Sequence, residues 1–389
     1  MKRIFVLTLI LLLGTSHNFP IETDANCENM NFKPFFAIFG NNRISTISAG
    51  RGDTGIAALG NLSMTVLNPA SLQIGRNVQA YYEFGTKHNQ TLKDYTNADH
   101  DMEVFRAGTS YGAAYRLNDQ IQFGMLYSKL SSHTAELGKV HNYDTTGMIC
   151  ETIDLYEKVA HSVFSIPVSF QLSDRYRIGV GLDSHLYHAN TSNACLNYIL
   201  EYENYKGEID FVLFRPKLGA IANLNDQLAV GATFVFPTEK RIKEKVLWQE
   251  ICYDKNLFPL EIGFGTSYRF NALPLTILAD YQFINEAINV EFKDSHKFNF
   301  GIEGKAASFL QLRAGYSYES DIRDKDFLRE NGSHLWSNNG SYELNILSAG
   351  ASLNWRGTTW DLAVMNSGLM SSLDQTYLKL GCTLDLENK

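Results

Sequence analysis

The side chains able to do chemistry in this 389-residue chain fall mainly at alternate positions of short segments rich in Val, Ile, Leu, Phe and Tyr. Asp183, Ser184, His185 and His188 share one such segment and offer an acid, a nucleophile and two bases. No GxSxG or HExxH spacing accompanies them, so they read as polar filler facing a lumen and no catalytic residue is assigned. The acidic run Asp321-Ile322-Arg323-Asp324-Lys325-Asp326 departs from the DxDxDG order of a calcium loop and reads as a solvated connection. Cys27, Cys150, Cys195, Cys252 and Cys382 lack CxxC spacing and zinc-type His partners, so no metal or other cofactor is called for. Cys150, Cys195 and Cys252 allow one disulfide or free thiols.

The elements that carry these residues repeat with period two. Ile262, Phe264, Thr266, Tyr268 and Phe270 share one face, and Glu261, Gly263, Gly265, Ser267 and Arg269 the other, as in a two-faced strand. Segments 310–319 and 378–386 repeat the pattern, with full charges on one face only. About fourteen strands are expected, over 77–86, 107–116, 121–129, 163–171, 175–188, 208–222, 228–236, 260–270, 275–284, 296–304, 309–319, 345–355, 359–366 and 376–386. Turns rich in Asn, Asp, Gly or Ser join them at 117–120, 172–174, 223–227, 271–274, 305–308 and 356–358. Longer polar stretches at 88–105, 130–161, 189–208, 237–259, 285–295, 320–344 and 367–375 alternate with these turns and read as loops.

A soluble sandwich has no reason to segregate loop lengths, whereas an outer-membrane barrel keeps short turns on the periplasmic side and long loops outside. Ten residues at ~3.3 Å, tilted by ~40°, rise about 25 Å, the height of the apolar band of such barrels. The expected fold is therefore an all-β, transmembrane antiparallel barrel. Pro167 and Pro216 fall inside strands, cannot donate to a ladder, and are expected to mark a bulge or a local opening.

Composition fits this class and excludes others. There are 24 Phe and 20 Tyr against 8 Pro, and the mean hydropathy is -0.19. After the leader no apolar run approaches the length of a membrane helix, so any membrane residence uses strands. A net charge of -8 and a pI near 5.7 lack the concentrated basic surface that nucleic-acid binding needs. Met1-Lys2-Arg3, the apolar run 4–13 and Gly14-Thr15-Ser16 read as a signal peptide over 1–16. Asp24-Ala25-Asn26 before Cys27 argues against a lipid anchor there.

Between the leader and the first strand lies AGRGDTGIAALG (49–60), followed by LNPASL (67–72). Without GxxxxGK[ST] and a βαβ unit it is no phosphate loop. The spacing resembles the N-terminal plug of the FadL-like outer-membrane family, which includes long-chain fatty-acid and hydrocarbon channels and the PorV and PorQ barrels of type IX secretion. The resemblance implies a hatch over 17–76 folded inside the lumen of a barrel over 77–389, with Asn68, Pro69 and Ala70 in the hatch and Asn68 capping a turn or helix. Two departures stand out: Gly52-Asp53-Thr54-Gly55 replaces the family's Gly-Met-Gly-like segment, and the last strand ends without a terminal aromatic residue.

If the apolar faces meet lipid, Val180, Phe264, Leu312 and Leu380 point outward. The lumen then receives Glu83, Arg116, Arg177, Asp183, Arg215, Lys217, Glu261, Arg269, Asp280, Glu303, Arg313, Glu319, Asp361 and Lys379. Both signs are present, which disfavours an ion-selective pore. Arg116, Arg177, Arg269 and Arg313 lie near short turns and are candidates to hold hatch carbonyls and acids or a ligand carboxylate. Trp248, Ile251, Leu257 and Phe258, with Leu369 and Met370, place apolar surface in long loops and are candidates to gather a hydrophobic ligand. The functional expectation is passive uptake of small hydrophobic solutes across the outer membrane, with lipid and a hydrophobic small molecule as partners. The alternative is a PorV-like barrel whose long loops receive secreted proteins. A catalytic barrel ranks below both.

Overall fold

The computed structural model describes residues 45–86, 88–93, 99–105, 109–143, 149–196, 202–246, 249–288, 292–322, 324, 326, 343–367, 369 and 376–386. Fourteen strands form one antiparallel sheet that closes on itself. Strand β1 is Val78–Gly85 with the extension His88–Lys93, and β2 is Asp99–Phe105 with Thr109–Arg116. Then follow β3 (Ile121–Tyr143), β4 (Ile149–Gln171), β5 (Tyr176–Leu196) and β6 (Tyr202–Asn223). β7 is Leu228–Val235 with Thr238–Val246, and β8 is Gln249–Phe258 with Glu261–Arg269. The circuit ends with β9 (Leu275–Ile284), β10 (Ser295–Ala307), β11 (Leu310–Glu319), β12 (Leu344–Trp355), β13 (Thr358–Asn366) and β14 (Thr376–Leu386). Closure pairs β14 with β1 from Val78↔Leu386 to Gly85↔Lys379.

Three short turns share one chemical device. In Leu117–Ile121 and Leu224–Leu228 an Asn side-chain oxygen accepts the amides two and three residues on, and in Leu172–Tyr176 the Ser173 hydroxyl does the same. The flanking Leu amide donates to the carbonyl four residues later in each. At the β12–β13 hairpin Arg356 and Gly357 both take positive φ, 50° and 81°, the two-residue turn that matches strand twist.

At the opposite end, the stretches 130–161, 189–208 and 237–259, expected as loops, are largely strand. β3 and β4 run on for 23 residues each and pair as far as Tyr143↔Ile149, and β7 and β8 extend as a hairpin from Thr238↔Phe258 to Val246↔Gln249. Twenty-three residues at ~3.3 Å, tilted by ~40°, rise about 58 Å, roughly twice the apolar band, so these hairpins stand clear of the lipid. Backbone pairing needs no hydropathy alternation, and their sequence therefore reads as loop.

The outer wall is apolar. Phe264, Leu312 and Leu380 are exposed and Val180 is half-buried, with Phe84, Phe300 and Trp360 among the other outward side chains. Most inward charges are buried, Arg313 among them; Arg116, Arg177, Glu261 and Glu303 are half-buried, and Arg269 is exposed at the short-turn rim. The hatch, described over 45–76, fills the bore with a helical turn α1 (Thr46–Ala49) and two 3-10 turns, Leu62–Val66 and Pro69–Ser71. Where its backbone presses on the wall, the wall carries glycine. A Cβ on Gly315 would lie 2.1 Å from the Gly52 amide, and one on Gly219 would lie 1.9 Å from the Asn68 side-chain oxygen. Gly179, Gly231, Gly265 and Gly301 meet other hatch segments in the same way, completing a girdle of bare backbone.

Pro167 and Pro216 interrupt pairing differently. Around Pro167 the β3–β4 ladder skips from Phe123↔Val168 to Leu126↔Ser165 in an unchanged register, an opening without a bulge. At Pro216 the β6–β7 ladder stops after Lys217↔Val235. It resumes only at Lys245↔Glu208, one residue out of register. The Phe236 amide donates to the Pro216 carbonyl over 3.0 Å, and Pro216 has no amide to return the bond. Opposite Pro237 on β8 stands Pro259, so neither supplies a donor where the β7–β8 ladder is interrupted.

Candidate functional site

The hatch is fastened to the wall by buried polar groups. Asn68 has an extended backbone and caps the Pro69–Ser71 turn, its Oδ1 accepting from the Ala70 amide at 2.9 Å. Its Nδ2 donates to the carbonyl of Ile56 at 2.7 Å, with the carbonyls of Ala220 and Ala232 at 3.1 and 3.3 Å. Asn68, Pro69 and Ala70 are all buried. Asp280 Oδ2 accepts the Gly55 and Ile56 amides at 2.6 and 3.0 Å. The turn that leads into these two amides is possible because Gly52 and Asp53 adopt φ of 70° and 59°.

Arg51, the first residue of the RGD tripeptide, is buried and pairs with Glu303 at 3.1 Å. Glu303 also pairs with Arg313 at 2.7 Å, and Arg313 reaches Ser352 and Asp361. Burial pulls the Arg51 guanidinium below its ordinary value, and Glu303 opposes that. Arg116 donates to the Ile74 carbonyl and Arg177 to the Leu72 carbonyl. Two of the four candidate arginines therefore hold hatch backbone and a third belongs to the Arg51 network. Arg269 instead lines a shallow polar depression at the short-turn rim with Asp174, Arg175 and Asp226.

On the side of the hatch toward the long hairpins lies a cavity of about 240 Å³. Val66 and Leu67 of the hatch line it, with Leu130, Val163, Tyr187, Val235, Phe258, Ile284 and Ile322 as further apolar lining. Its charged side chains come in balanced pairs. Lys217 meets Asp183 at 2.7 Å and also donates to the Val66 carbonyl at 3.0 Å; Arg215 meets Glu261 at 2.6 Å. Four rings are layered beside it. Phe211 stacks on Tyr187 (centroids 4.6 Å apart), Tyr187 on His161 (4.0 Å) and His161 on His185 (5.1 Å). His161 Nε2 and His185 Nδ1 share a hydrogen bond of 2.9 Å.

The other sequence candidates divide. Phe258, expected in an exposed loop, is buried and packs with Tyr187 and Leu213 in the cavity wall. The stretch 237–259 is a hairpin whose last residues return into the bore, which corrects that expectation. Leu369 is exposed. Trp248 and Met370, and the side chains of Ile251 and Leu257, lie outside the described residues, as do the side chains of Cys150, Cys195 and Cys252. His185 and Asp183 point inward, but His188 falls on the opposite face, half-exposed, and meets Asp210 at 2.6 Å; the expectation that both histidines fill the lumen fails by strand parity. His161 and Tyr187 were not singled out from sequence. Both share parity with inward neighbours, Val163 and His185, and that was the available signal.

No protein-family profile matches the chain, and no curated protein matches it. Solved structures do. A deletion mutant of the monoaromatic hydrocarbon channel TodX superposes with a TM-score of 0.66 at 16% identity, covering 88% of this chain and 99% of that one. The toluene transporter TbuX of Ralstonia pickettii gives 0.62 at 14% identity over 90% and 100% of the two chains. A FadL homologue of Pseudomonas aeruginosa gives 0.59 at 12% identity over 88% and 98%. The chain thus has the fold of the FadL-like outer-membrane channels, a hatch-plugged antiparallel barrel of fourteen strands.

Proposed function

We propose that this chain is a passive outer-membrane channel for small hydrophobic solutes. The observation that carries the reading is the half-apolar cavity seated on a clamped hatch, in a bore whose charges are internally paired. Such a bore offers an ion no uncompensated field, while apolar walls favour a solute that leaves water. The hydrocarbon and toluene channels of the same fold support the assignment. Apolar side chains of the long connections, Trp248, Ile251, Leu257, Leu369 and Met370, would collect solute, and Phe258 would meet it in the cavity. No energy source is required.

The β6–β7 seam offers the way out. Its inward face carries Leu213 and Arg215 beside the cavity, and its outward face carries Val212 and Phe214, exposed toward lipid. Unpaired backbone in hydrocarbon costs several kcal/mol per group, so a stretch without ladder bonds is where the wall parts most readily. Whole-cell uptake of radiolabelled toluene, limiting in concentration, tests the reading. Cells carrying the chain should take it up faster than barrel-free cells, and Pro216→Ala, which restores the missing donor, should slow uptake. Equal rates with and without the chain, together with capture of secreted proteins that is lost when the long hairpins are replaced, would move the assignment to secretion.

A further inference from the structure

We infer that the hairpin from Thr238 to Phe258 is a flap, hinged at Pro237 and Pro259 and held shut by Arg215, which reaches across β7 as a clasp. The inference rests on the channel reading above and names what regulates its outlet. The hinge follows from the ladder. At this level the Phe236 amide turns to the Pro216 carbonyl of β6, and the Leu260 carbonyl turns to the Asn285 amide just beyond β9. Antiparallel pairs alternate between bonded and non-bonded, so the β7–β8 bonds here fall to the facing pair Pro237 and Pro259. That pair has two acceptors and no donor. Both strands break there, at 236–237 and 259–260, and resume beyond it in unchanged register, Val235↔Glu261 on one side and Thr238↔Phe258 on the other.

Above the hinge the hairpin is thinly held. Residues 237–244 of β7 pass 209–215 of β6 without ladder pairing, bridged by the Thr238 hydroxyl on the Phe214 carbonyl at 3.4 Å, until Lys245↔Glu208 and Val246↔Gly207 close the tip. Among the described residues, the other strand of the hairpin, Gln249–Phe258, pairs with Thr238–Val246 alone. Phe258, at the base of the flap, packs against Tyr187 in the cavity wall, ring centroids 5.5 Å apart.

Arg215 fixes this joint from inside. Its Nη2 donates to the Pro259 carbonyl at 2.5 Å, the acceptor for which Pro237 has no amide, and its Nη1 meets Glu261 at 2.6 Å. A guanidinium presents its donors in one rigid fork, so a single side chain from β6 grips β8 at the break and just below it. The grip falls on the torsion that matters. The proline ring fixes φ at Pro259, which leaves ψ to turn the hinge, and turning ψ swings the carbonyl that Arg215 holds. With the clasp released the flap turns on a pair that has no ladder bond to lose. Phe258 then leaves Tyr187, and the cavity meets lipid through the gap beside Val212 and Phe214.

Thiol labelling of the full chain in liposomes tests this, with N-ethylmaleimide as probe and mass spectrometry of the labelled peptide as readout. Leu213→Cys, buried in the wall at the gap, reports flap opening, and Leu278→Cys, equally buried on β9, reports general loosening of the barrel. Adding Arg215→Gln should speed labelling at Leu213→Cys by at least ~10-fold, the change expected when a charge-assisted bond to the shut state is lost, and leave Leu278→Cys at its original rate. Arg215→Lys, which keeps the charge without the fork, should fall between. In cells, oxidising a Glu208→Cys/Lys245→Cys pair, opposite each other at the flap tip, should slow toluene uptake, and dithiothreitol should restore it. Unchanged labelling at Leu213→Cys, or a matching rise at Leu278→Cys, would overturn the flap, while uptake above that of barrel-free cells would leave the channel reading standing. Uptake indifferent to the cross-link, or a pair that never cross-links, would equally overturn it. Faster labelling at Leu213→Cys with no toluene uptake by any variant would keep the flap and sink the channel.

Discussion

Replacing Asn68 by Ala should unlock the hatch while leaving the barrel intact. The Ala220 and Ala232 carbonyls face each other in the β6–β7 ladder and keep their backbone partners, so their loss is small. The Ile56 carbonyl and the Ala70 amide, by contrast, rely on the Asn68 side chain, at 2.7 and 2.9 Å, and would be orphaned in a buried setting. At ~1 to 3 kcal/mol per orphan the hatch loses at least ~2 kcal/mol of its attachment. With each 1.4 kcal/mol worth tenfold, the population with a displaced hatch rises by ~25-fold or more. Single-channel recording in planar bilayers reads this as more frequent conductance events, and liposomes should leak small solutes faster. Asn68→Asp, which keeps the acceptor for Ala70 but points a carboxylate at the Ile56 carbonyl, should be at least as leaky. Event frequencies equal to wild type in both variants would refute the assignment of Asn68 as the latch.

Further outcomes follow from the same geometry. Gly315→Val puts side-chain carbon against the Gly52 amide, so it should block hatch docking and lower the yield of heat-modifiable folded barrel on gels, whereas Gly75→Ala, whose Cβ would meet only the Asp385 carboxylate at 3.7 Å, should leave that yield near wild type. Glu83 and Lys379 are fully buried and 3.1 Å apart across the closing strands, so truncating either alone should destabilise by ~3 to 5 kcal/mol, and a double-mutant cycle in urea should show strong coupling. Trp248→Ala should lower uptake of hydrophobic solute without raising leakage; a parallel rise in leakage would remove Trp248 from the capture role.

Strand parity made much of the barrel legible. From Glu261 to Phe270 the alternation separates a lipid face from a lumen face without reference to any neighbour. What alternation cannot supply is register between distant strands. Glu83 and Lys379 were both assigned to the lumen, but their pairing depends on closing β14 onto β1 across nearly the whole chain. The hatch contacts of Arg116 and Arg177 likewise depend on how the plug is rotated in the bore. The long hairpins read as loop because backbone pairing, as from Ser131 to Tyr143, requires no periodic side-chain hydropathy. Phe258 was misplaced for the same reason: it sits where such a hairpin re-enters the wall. The seam at Pro216 was half visible, since proline announces a missing donor but not which neighbour loses it.

The glycine girdle has a consequence for the order of assembly. At the level where the plug touches the wall, strands β5 to β8, β10 and β11 offer no side chains to fill the bore. A cylinder that closed before the plug entered would hold a wide column of water there and would leak. The last seam carries its own safeguard. The Glu83 carboxylate that receives Lys379 from β14 also accepts the amide and hydroxyl of Thr46, at 2.9 and 2.8 Å, from the first turn of the plug. Zipping β14 onto β1 with the plug absent leaves that buried carboxylate short of two donors. Tyr81, Ser110 and Lys379 still reach the carboxylate from the wall, so closure without the plug is weakened rather than forbidden, and the last seam zips more favourably on a cylinder already stoppered.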